Sequence, residues 1–189
     1  MKKKIERKLH NFRKKSKNYL YPSFDTIAGS GPNGAVIHYK STNQTNRNLK
    51  KNDILLIDSG GQYKWGTTDI TRTTCSGKVT SRLRDNFTRV LQGHIAVIKS
   101  DLDKKRNGHL IDKLARKPLK NVGLNYSHGT GHGVGFFLNV HEGPQAITKF
   151  NKIKLKQGMI LSNEPGYYLV NNYGIRIENL IFIDKKKKI

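Results

Sequence analysis

The sequence predicts an α+β fold, in which strands and helices occupy separate stretches of one domain. Two segments in the middle of the 189-residue chain repeat apolar residues at helical spacing, and the stretches on either side are short, glycine-punctuated and strand-like. The length fits a single domain that is large enough to bury a core. The predicted order is a short N-terminal helix, a group of strands, two helices, and a second group of strands.

The N-terminal part begins with a predicted helix over residues 2 to about 17. Ile5, Leu9 and Phe12 recur at spacings of four and three, which places them on one helical face. A loop rich in glycine follows, and residues 35–39 after it have the composition of a strand.

The middle of the chain contains a predicted hairpin and two predicted helices. Strands are expected at 54–58, 62–65 and 69–74, with a glycine-containing break or bulge at 59–61. Residues 81–99 carry the three-and-four periodicity that is typical of an amphipathic helix. Residues 110–117 repeat this pattern more weakly and meet Pro118, which predicts the end of a second helix there.

The C-terminal part reads as strands and loops punctuated by glycine. The candidate segments are 128–135, 136–141, 159–162, 167–169 and 175–183. Between residues 173 and 182 the side chains alternate, so Ile175 and Ile177 face one way while Arg176 and Glu178 face the other.

Composition limits the classes of function. With 36 Lys and Arg against 13 Asp and Glu, the formal charge of +23 attracts anionic surfaces, but the basic residues are scattered along the chain. A nucleic-acid surface concentrates its charge on one face, so we predict no nucleic-acid partner. Cys75 is the only cysteine, which excludes an intramolecular disulfide and a cysteine-based zinc cluster. The lack of a long apolar stretch or a secretory signal predicts a cytoplasmic protein with no membrane partner.

Four acids and one histidine stand out because their neighbours are mostly β-branched, aromatic or glycine residues. They are Asp58, Asp69, His132, Glu164 and Glu178. A charge in such surroundings is costly unless it is paired or bound to a metal. Taken one at a time, each acid also fits an ordinary turn or an exposed strand position. As a set they are hard, oxygen-rich ligands for two divalent cations, with manganese favoured and zinc, cobalt or iron tolerated.

The motifs around these residues resemble a known family. GSGPNGAVIHYK, DILLIDSGGQYKWGTTDITRT, LQGHIAV, HGTGHGVGFFLNVHEGP, GMILSNEPGYY and YGIRIENL together are similar to the catalytic domain of Xaa-Pro aminopeptidase, or aminopeptidase P. This family belongs to the pita-bread metallopeptidase superfamily, and the resemblance runs from about residue 7 to 183. It implies a curved antiparallel sheet that carries the ligands on its inner face and is covered outside by helices.

The resemblance also implies a role for each site residue. Asp58 would bind one metal, Asp69 and Glu178 would bridge both, and His132 with Glu164 would complete the second coordination sphere. The two metals would share and activate a hydroxide. The other candidates are catalytic: His38, His128 and His141 would position the substrate, move protons and stabilise the tetrahedral intermediate, and Arg176 would support a carboxylate ligand.

The implied reaction is release of the N-terminal residue from a peptide whose second residue is proline. Such a bond lacks the amide hydrogen and has restricted geometry, so it needs a dedicated pocket. Tyr167, Tyr168 and the pair Phe136 and Phe137 are candidates for its apolar wall, although aromatic residues on strands are more often core.

Compared with the family, the sequence predicts a catalytic domain over residues 1–184, truncated at both ends, and a basic tail over 185–189. Without the family's N-terminal domains and C-terminal extension, we expect weak activity and relaxed substrate selection. An exposed sheet edge predicts self-association as a homodimer, or a second chain that supplies the missing parts.

Three other functions stay open at this stage. One is a prolidase-like dipeptidase, which would cleave Xaa-Pro dipeptides but not longer peptides. Another is an inactive pita-bread module that binds protein, RNA or chromatin, for which the charge of +23 is the argument. The third is a degenerate remnant with no function of its own. Retention of all five ligands argues against the second and third.

Overall fold

The computed structural model describes residues 2–104 and 107–184, so the predicted basic tail lies outside the described residues. The α-helices are α1 (Lys2–Arg13), α2 (Ser81–Ile98) and α3 (Gly108–Lys120). The strands before α2 are β1 (Tyr19–Tyr21), β2 (Ile27–Ser30), β3 (Ile54–Ser59), β4 (Gln62–Tyr63), β5 (Gly66–Thr67) and β6 (Ile70–Cys75). Those after α3 are β7 (Gly131–Gly133), β8 (Glu142–Ile147), β9 (Ile160–Asn163), β10 (Gly166–Leu169), β11 (Tyr173–Arg176) and β12 (Asn179–Phe182).

The strands form small antiparallel sheets, which confirms the α+β prediction. Two of these sheets carry most of the candidate site: one has the order β2-β3-β6 and the other the order β12-β9-β7-β8. A further pair joins β10 to β11, and β1, β4 and β5 form a small sheet at the hairpin after β3. None of the helices in the described part of the chain has both the length and the hydropathy required to cross a membrane.

The core lies between the helices and the sheets. One cluster joins Val90 of α2 and Leu119 of α3 to Ile175 of β11, and a second joins Val97 and Ile111 of the same helices to the strands β8, β9 and β12. The two helices can cross closely because Gly93 has no side chain. A Cβ at this position would overlap the carbonyl oxygen of Ala115. One face of the sheets is therefore used for packing, and the opposite face is free to form a site.

Helix α3 extends through Pro118, so the predicted end of this helix was wrong. A proline near a helix end removes a single backbone hydrogen bond. The helix continues for two more residues because Leu119 is fully buried and the Asn121 amide donates to the Lys117 carbonyl. Packing in the final turn outweighs the missing bond.

Two predicted strands are turns instead. Ala35 ends a 3-10 helix at Gly31–Ala35, and residues 36–39 form a turn that the Asn33 side chain stabilises by donating to the hydroxyl of Tyr39. Residues 136–141 cannot form a strand because Phe137, Asn139 and Val140 have positive φ angles of 58°, 48° and 68°. The strand in this region is β8, which the sequence did not predict.

Helix α1 also ends earlier than predicted, at Arg13, and one residue of its apolar face is not buried. Phe12 is 63% exposed, whereas Ile5 and Leu9 are half-buried. The helix is attached through polar contacts: His10 Nδ1 lies 2.9 Å from the Tyr19 hydroxyl, and Arg13 donates to Ser59 Oγ at 2.9 Å.

The alternation predicted for residues 173–182 is present, although the strand is interrupted. β11 and β12 belong to different sheets and are separated at residues 177–178. Ile175 and Ile177 lie in the core, while Arg176 and Glu178 face the other way and are still only 2% and 1% exposed. Two ionisable side chains are thus buried on the face opposite the core.

Candidate metal centre

The first two acids are placed by the hairpin of β3 and β6. Asp58 is near the end of β3, and Asp69 immediately precedes β6. In the antiparallel register Asp58 lies opposite Thr71. The glycine at position 60 is required in this bend because a Cβ there would overlap the Thr68 carbonyl oxygen and the Ser23 hydroxyl. Both carboxylates are buried at the same end of the sheet.

The second group of candidate ligands comes from the other sheet and the segments beside it. His132 is in β7, Glu164 follows β9, and Glu178 lies between β11 and β12. Asp69, His132 and Glu178 present ligand atoms that all lie within 4.8 Å of one another. His132 Nε2 is 3.4 Å from Asp69 Oδ2 and 3.5 Å from Glu164 Oε1. Residues that are up to 120 positions apart in the chain therefore converge.

All nine candidate residues line one cavity of about 320 Å³. They are Asp58, Asp69, His132, Glu164, Glu178, His38, His128, His141 and Arg176. Its remaining lining is mostly apolar and includes Phe24, Ile37 and Val140.

Arg176 connects the acids to the rest of the cavity. Its Nη2 donates to Asp58 Oδ2 at 2.6 Å, and its Nη1 donates to the Tyr168 hydroxyl at 2.8 Å. The Nε group donates to Thr71 Oγ1, and the Thr71 hydroxyl in turn donates to Glu178 Oε2 at 2.6 Å. One guanidinium thus fixes the positions of two carboxylates, one directly and one through a threonine.

The buried charge is far from balanced by protein groups alone. Four carboxylates face one guanidinium, Arg176, which leaves an excess of three negative charges when all four are ionised. Burial, together with repulsion from the neighbouring acids, raises the pKa of Glu178 well above its usual range and the pKa of Glu164 to about 7. Burial also raises the pKa of Asp58, against the opposing effect of Arg176.

This arrangement fits divalent cations. The Oδ1 atom of Asp58 is buried and has no hydrogen-bond partner among the described residues, as expected of an oxygen that is available to a cation. Four carboxylates and one imidazole are suitable donors for a hard or borderline divalent metal. Two such cations would offset the excess negative charge of the cavity.

His132 is oriented as a ligand would be. Its Nδ1–H donates to the Gly133 carbonyl at 3.0 Å, which leaves Nε2 to face Asp69 and Glu164. Burial lowers the pKa of His132, but the hydrogen bond to Asp69 and the charge of Glu164 outweigh it and raise the pKa overall. Its backbone amide is held by Ser162 Oγ, which also donates to Glu164 Oε1 at 3.0 Å.

His128 has a different environment from the other histidines. Its Nδ1–H donates to the Gly129 carbonyl, so the neutral ring accepts at Nε2 from the Tyr168 hydroxyl, at 2.8 Å. Burial, with Arg176 next in importance, lowers the pKa of His128 to about 4. His128 is therefore neutral at physiological pH.

His38 lies on a turn and His141 between the turn at 136–140 and β8, and both line the cavity and are exposed. The His141 ring is 4.3 Å from the His132 ring, and His141 Nδ1 donates to the Asn139 carbonyl at 2.9 Å. Both side chains are therefore accessible to an incoming molecule.

The sequence did not predict that three polar side chains support the site. The aromatic residues considered for the apolar wall of the pocket are not in the cavity lining. Thr71 and Ser162 hold Glu178 and Glu164, and the hydroxyl of Tyr168 joins Arg176 to His128. The strand period gives a signal for Thr71, which is two residues after Asp69. Tyr167 belongs to the core, and Phe136 and Phe137 pack on each other, half-exposed, and do not line the cavity.

Comparison with known proteins identifies the family. The model of metallopeptidase family M24 matches residues 1–185. The chain belongs to metallopeptidase family M24. The superfamily resemblance and the fold that it implied are thereby confirmed. Xaa-Pro aminopeptidase 1 of Dictyostelium discoideum is 49% identical to this M24 chain over 179 residues, which is 93% of the chain.

Solved structures of M24 relatives have the same fold. The X-prolyl aminopeptidase of Caenorhabditis elegans, described as a cytosolic enzyme with a di-nuclear active site, has a TM-score of 0.87 and 37% identity over 98% of this chain. Prolidase from Pyrococcus furiosus also has a TM-score of 0.87, with 28% identity over the whole chain and 54% of its own. The M24 chain spans 28% of the Dictyostelium protein and 31% of the nematode structure.

Proposed function

We propose that this M24 domain is a metal-dependent aminopeptidase that releases the N-terminal residue from peptides with proline in second position. The observation that carries the proposal is the convergence of four buried carboxylates and His132 in one cavity that three further histidines border. The identity of 49% to an Xaa-Pro aminopeptidase supports the choice of substrate.

The cofactors in this proposal are two divalent metal ions, held by Asp58, Asp69, His132, Glu164 and Glu178. Manganese is favoured because the donor set is rich in carboxylate oxygen, with zinc or cobalt as alternatives. A bound pair of such ions polarises the scissile carbonyl and lowers the pKa of water. The excess negative charge and the unpartnered Asp58 oxygen support this assignment.

The protein's own groups orient the reactants. Arg176 holds Asp58 in place and, through Tyr168, directs the hydroxyl that donates to His128. With its pKa near 4, His128 stays neutral, so its Nε2 can accept a hydrogen bond while the Tyr168 hydroxyl donates one. We assign substrate contact to His38 and His141 because they line the cavity and are exposed.

The cavity suits a proline-containing peptide in size and lining. Proline is apolar and its nitrogen has no hydrogen to donate, so its pocket needs shape rather than an acceptor. A volume of about 320 Å³ lies at the lower end of the range for small-molecule pockets. Phe24, Ile37 and Val140 provide apolar surface beside the acids.

A prolidase-like dipeptidase is the second candidate function. Its support is that the Pyrococcus furiosus prolidase superposes as well as the nematode aminopeptidase does, with the same TM-score of 0.87. The two functions differ in whether peptides longer than a dipeptide are accepted. The higher identity to the aminopeptidases favours the first candidate.

We also propose a cellular location and an oligomeric state for the domain. Location in the cytosol is supported by the single cysteine and by the description of the nematode relative as cytosolic. A homodimer is proposed because β12 and β8 are edge strands of the four-stranded sheet. Sedimentation of the purified chain measures its mass and tests the dimer.

Hydrolysis of Gly-Pro and Arg-Pro-Pro by the purified chain with added Mn²⁺ tests the proposed activity. We expect metal near two per chain by elemental analysis, release of arginine from the tripeptide, and loss of turnover with a chelator. Cleavage of the dipeptide alone would favour the prolidase-like function. Folded protein without chelator-sensitive turnover would contradict both the aminopeptidase and the prolidase-like function. Salt-dependent RNA binding by metal-free protein would favour a binding module instead.

A further inference from the structure

A buried ion pair on α3 holds the chain segment that enters the cavity. Asp112 and Arg116 are one helical turn apart, and they are only 1% and 7% exposed. Arg116 Nε donates to Asp112 Oδ2 at 2.7 Å. Neither residue is among those that line the cavity.

The remaining donors of Arg116 are used on the segment that leads to His128, where the Asn125 side chain accepts from Nη1 through Oδ1 at 3.0 Å. Arg116 Nη1 also donates to the Tyr126 carbonyl and its Nη2 donates to the His128 carbonyl, both at 2.6 Å. The guanidinium also lies 4.0 Å from the centre of the Tyr126 ring. Two carbonyls, a carboxylate and an aromatic face thus fix the plane of one side chain.

Asp112 continues the same network towards the metal ligands. Its Oδ1 accepts from the Thr130 hydroxyl at 2.6 Å, and Thr130 is fully buried. The Thr130 carbonyl in turn accepts from the Glu164 amide at 2.8 Å. The ion pair therefore contacts the segment on both sides of His128, and through Thr130 it reaches the backbone of Glu164.

We propose that Asp112 and Arg116 are positioning residues that hold residues 126–130 so that the His128 ring faces the cavity. The carbonyl of His128 is bound to α3 through Arg116, and its ring is bound to the Tyr168 hydroxyl. Because both its carbonyl and its ring are bound, His128 is restricted to one orientation. The effect on turnover rests on the proposed function, whereas the effect on the orientation of His128 does not.

The test variant is Arg116→Lys in the full chain. Lysine keeps the positive charge beside Asp112 but cannot donate to two carbonyls and a carboxylate with a rigid planar fork. NMR signals of the His128 ring in metal-free protein report its position, because its centroid lies 5.0 Å from that of Tyr126 and 5.4 Å from that of Tyr168. We expect these signals to shift, and kcat for Arg-Pro-Pro to fall about tenfold with little change in KM.

A matched control is available on α2. Asp85 and Arg89 form the same type of pair at the same spacing, and Arg89 also donates to a backbone carbonyl, that of Pro118. Their side chains are partly exposed, and their hydrogen bonds go to each other and to the Pro118 carbonyl rather than to residues 126–130. Arg89→Lys is expected to leave the His128 signals and kcat unchanged.

A second variant covers the case in which Arg116→Lys does not fold. Asp112→Asn keeps the side-chain shape and one oxygen but removes the charge that holds Arg116, and we expect it to shift the same His128 signals. The proposal would be overturned if a folded Arg116→Lys or Asp112→Asn variant gave the same His128 signals as the wild type. It would also be overturned if Arg89→Lys shifted these signals by the same amount. If the wild-type protein has no turnover, the proposed function fails, but the NMR comparison still decides the positioning role.

Discussion

The floor and the rim of the cavity differ in how the fold supports them. The floor consists of Asp58, Asp69, His132, Glu164 and Glu178, and the rim consists of His38 and His141. Three of the floor acids, Asp58, Asp69 and Glu178, are only 7%, 6% and 1% exposed, whereas both rim histidines are exposed. The floor lies on or beside sheet strands, whereas His38 lies on a turn and His141 lies between a turn and the start of β8.

This difference shows which part of the site costs stability. Floor carboxylates are held close together by Arg176, Thr71 and Ser162, so their repulsion cannot relax by side-chain rotation. The rim histidines remain hydrated and cost little. We infer that the floor is pre-organised for cations at the expense of the stability of the metal-free protein, while the rim is free to adapt to substrate.

The largest expected effect comes from removing one floor charge, with Glu178→Gln. Metal affinity and kcat/KM should fall by more than roughly 100-fold, since even residues that only support a ligand cost about 10- to 100-fold. The metal-free variant should unfold at a higher temperature than metal-free wild type at pH 8. Because burial raises the pKa of Glu178 in the folded state, its stabilising contribution is complete below about pH 4.5 and is lost as the pH rises through that higher pKa.

The matched control for this prediction is Glu142→Gln, which removes an exposed charge from β8. Metal content, turnover and unfolding temperature should all match the wild type. Elemental analysis, peptide hydrolysis and thermal unfolding measure the three quantities. Retention of two metals by Glu178→Gln would show that the floor does not need all of its acids.

The floor was easier to predict from sequence than the rim. Its acids stand in apolar, glycine-rich runs where a charge is conspicuous, and strand alternation correctly placed Arg176 and Glu178 on one face. The motif resemblance added the family, which the comparisons confirmed. The general order of strands, two helices and further strands followed from hydrophobic period together with the glycine and proline positions.

What the sequence did not predict depends on tertiary contacts. Residues 35–39 have strand composition, but the Asn33 side chain and the preceding 3-10 helix turn them away from any sheet. Helix α3 passes Pro118 because Leu119 is buried by other elements. Thr71 carries no charge, and Tyr168 was considered only as apolar wall, so the hydrogen bonds that their hydroxyls make to Glu178 and Arg176 were not predicted.

An intermediate effect on stability is expected from His128. It was predicted in the same role as the rim histidines, but its ring is buried. Its pKa of about 4 in the fold is below the ordinary value of 6.5, so the unfolded chain binds the proton more strongly. The stabilising contribution is therefore complete above about pH 6.5 and is lost as the pH falls through 4. Between pH 7 and pH 5 we expect wild type to lose roughly 2 kcal/mol more stability than His128→Asn. Urea unfolding of metal-free protein at both pH values measures the difference, and an equal loss in the two proteins would place His128 with the solvated rim.

The smallest effect is expected for the rim itself. His141→Gln removes an exposed ring that contacts His132 and binds the Asn139 carbonyl, so metal content and unfolding temperature should stay at wild-type values. We expect kcat/KM for Arg-Pro-Pro to fall about tenfold, or about 1.4 kcal/mol of transition-state stabilisation. His109→Gln is the control, because His109 Nδ1 also donates to a backbone carbonyl, that of Lys149, outside the cavity. Loss of metal from His141→Gln would mean that the floor depends on the rim, and the distinction between the two would then be wrong.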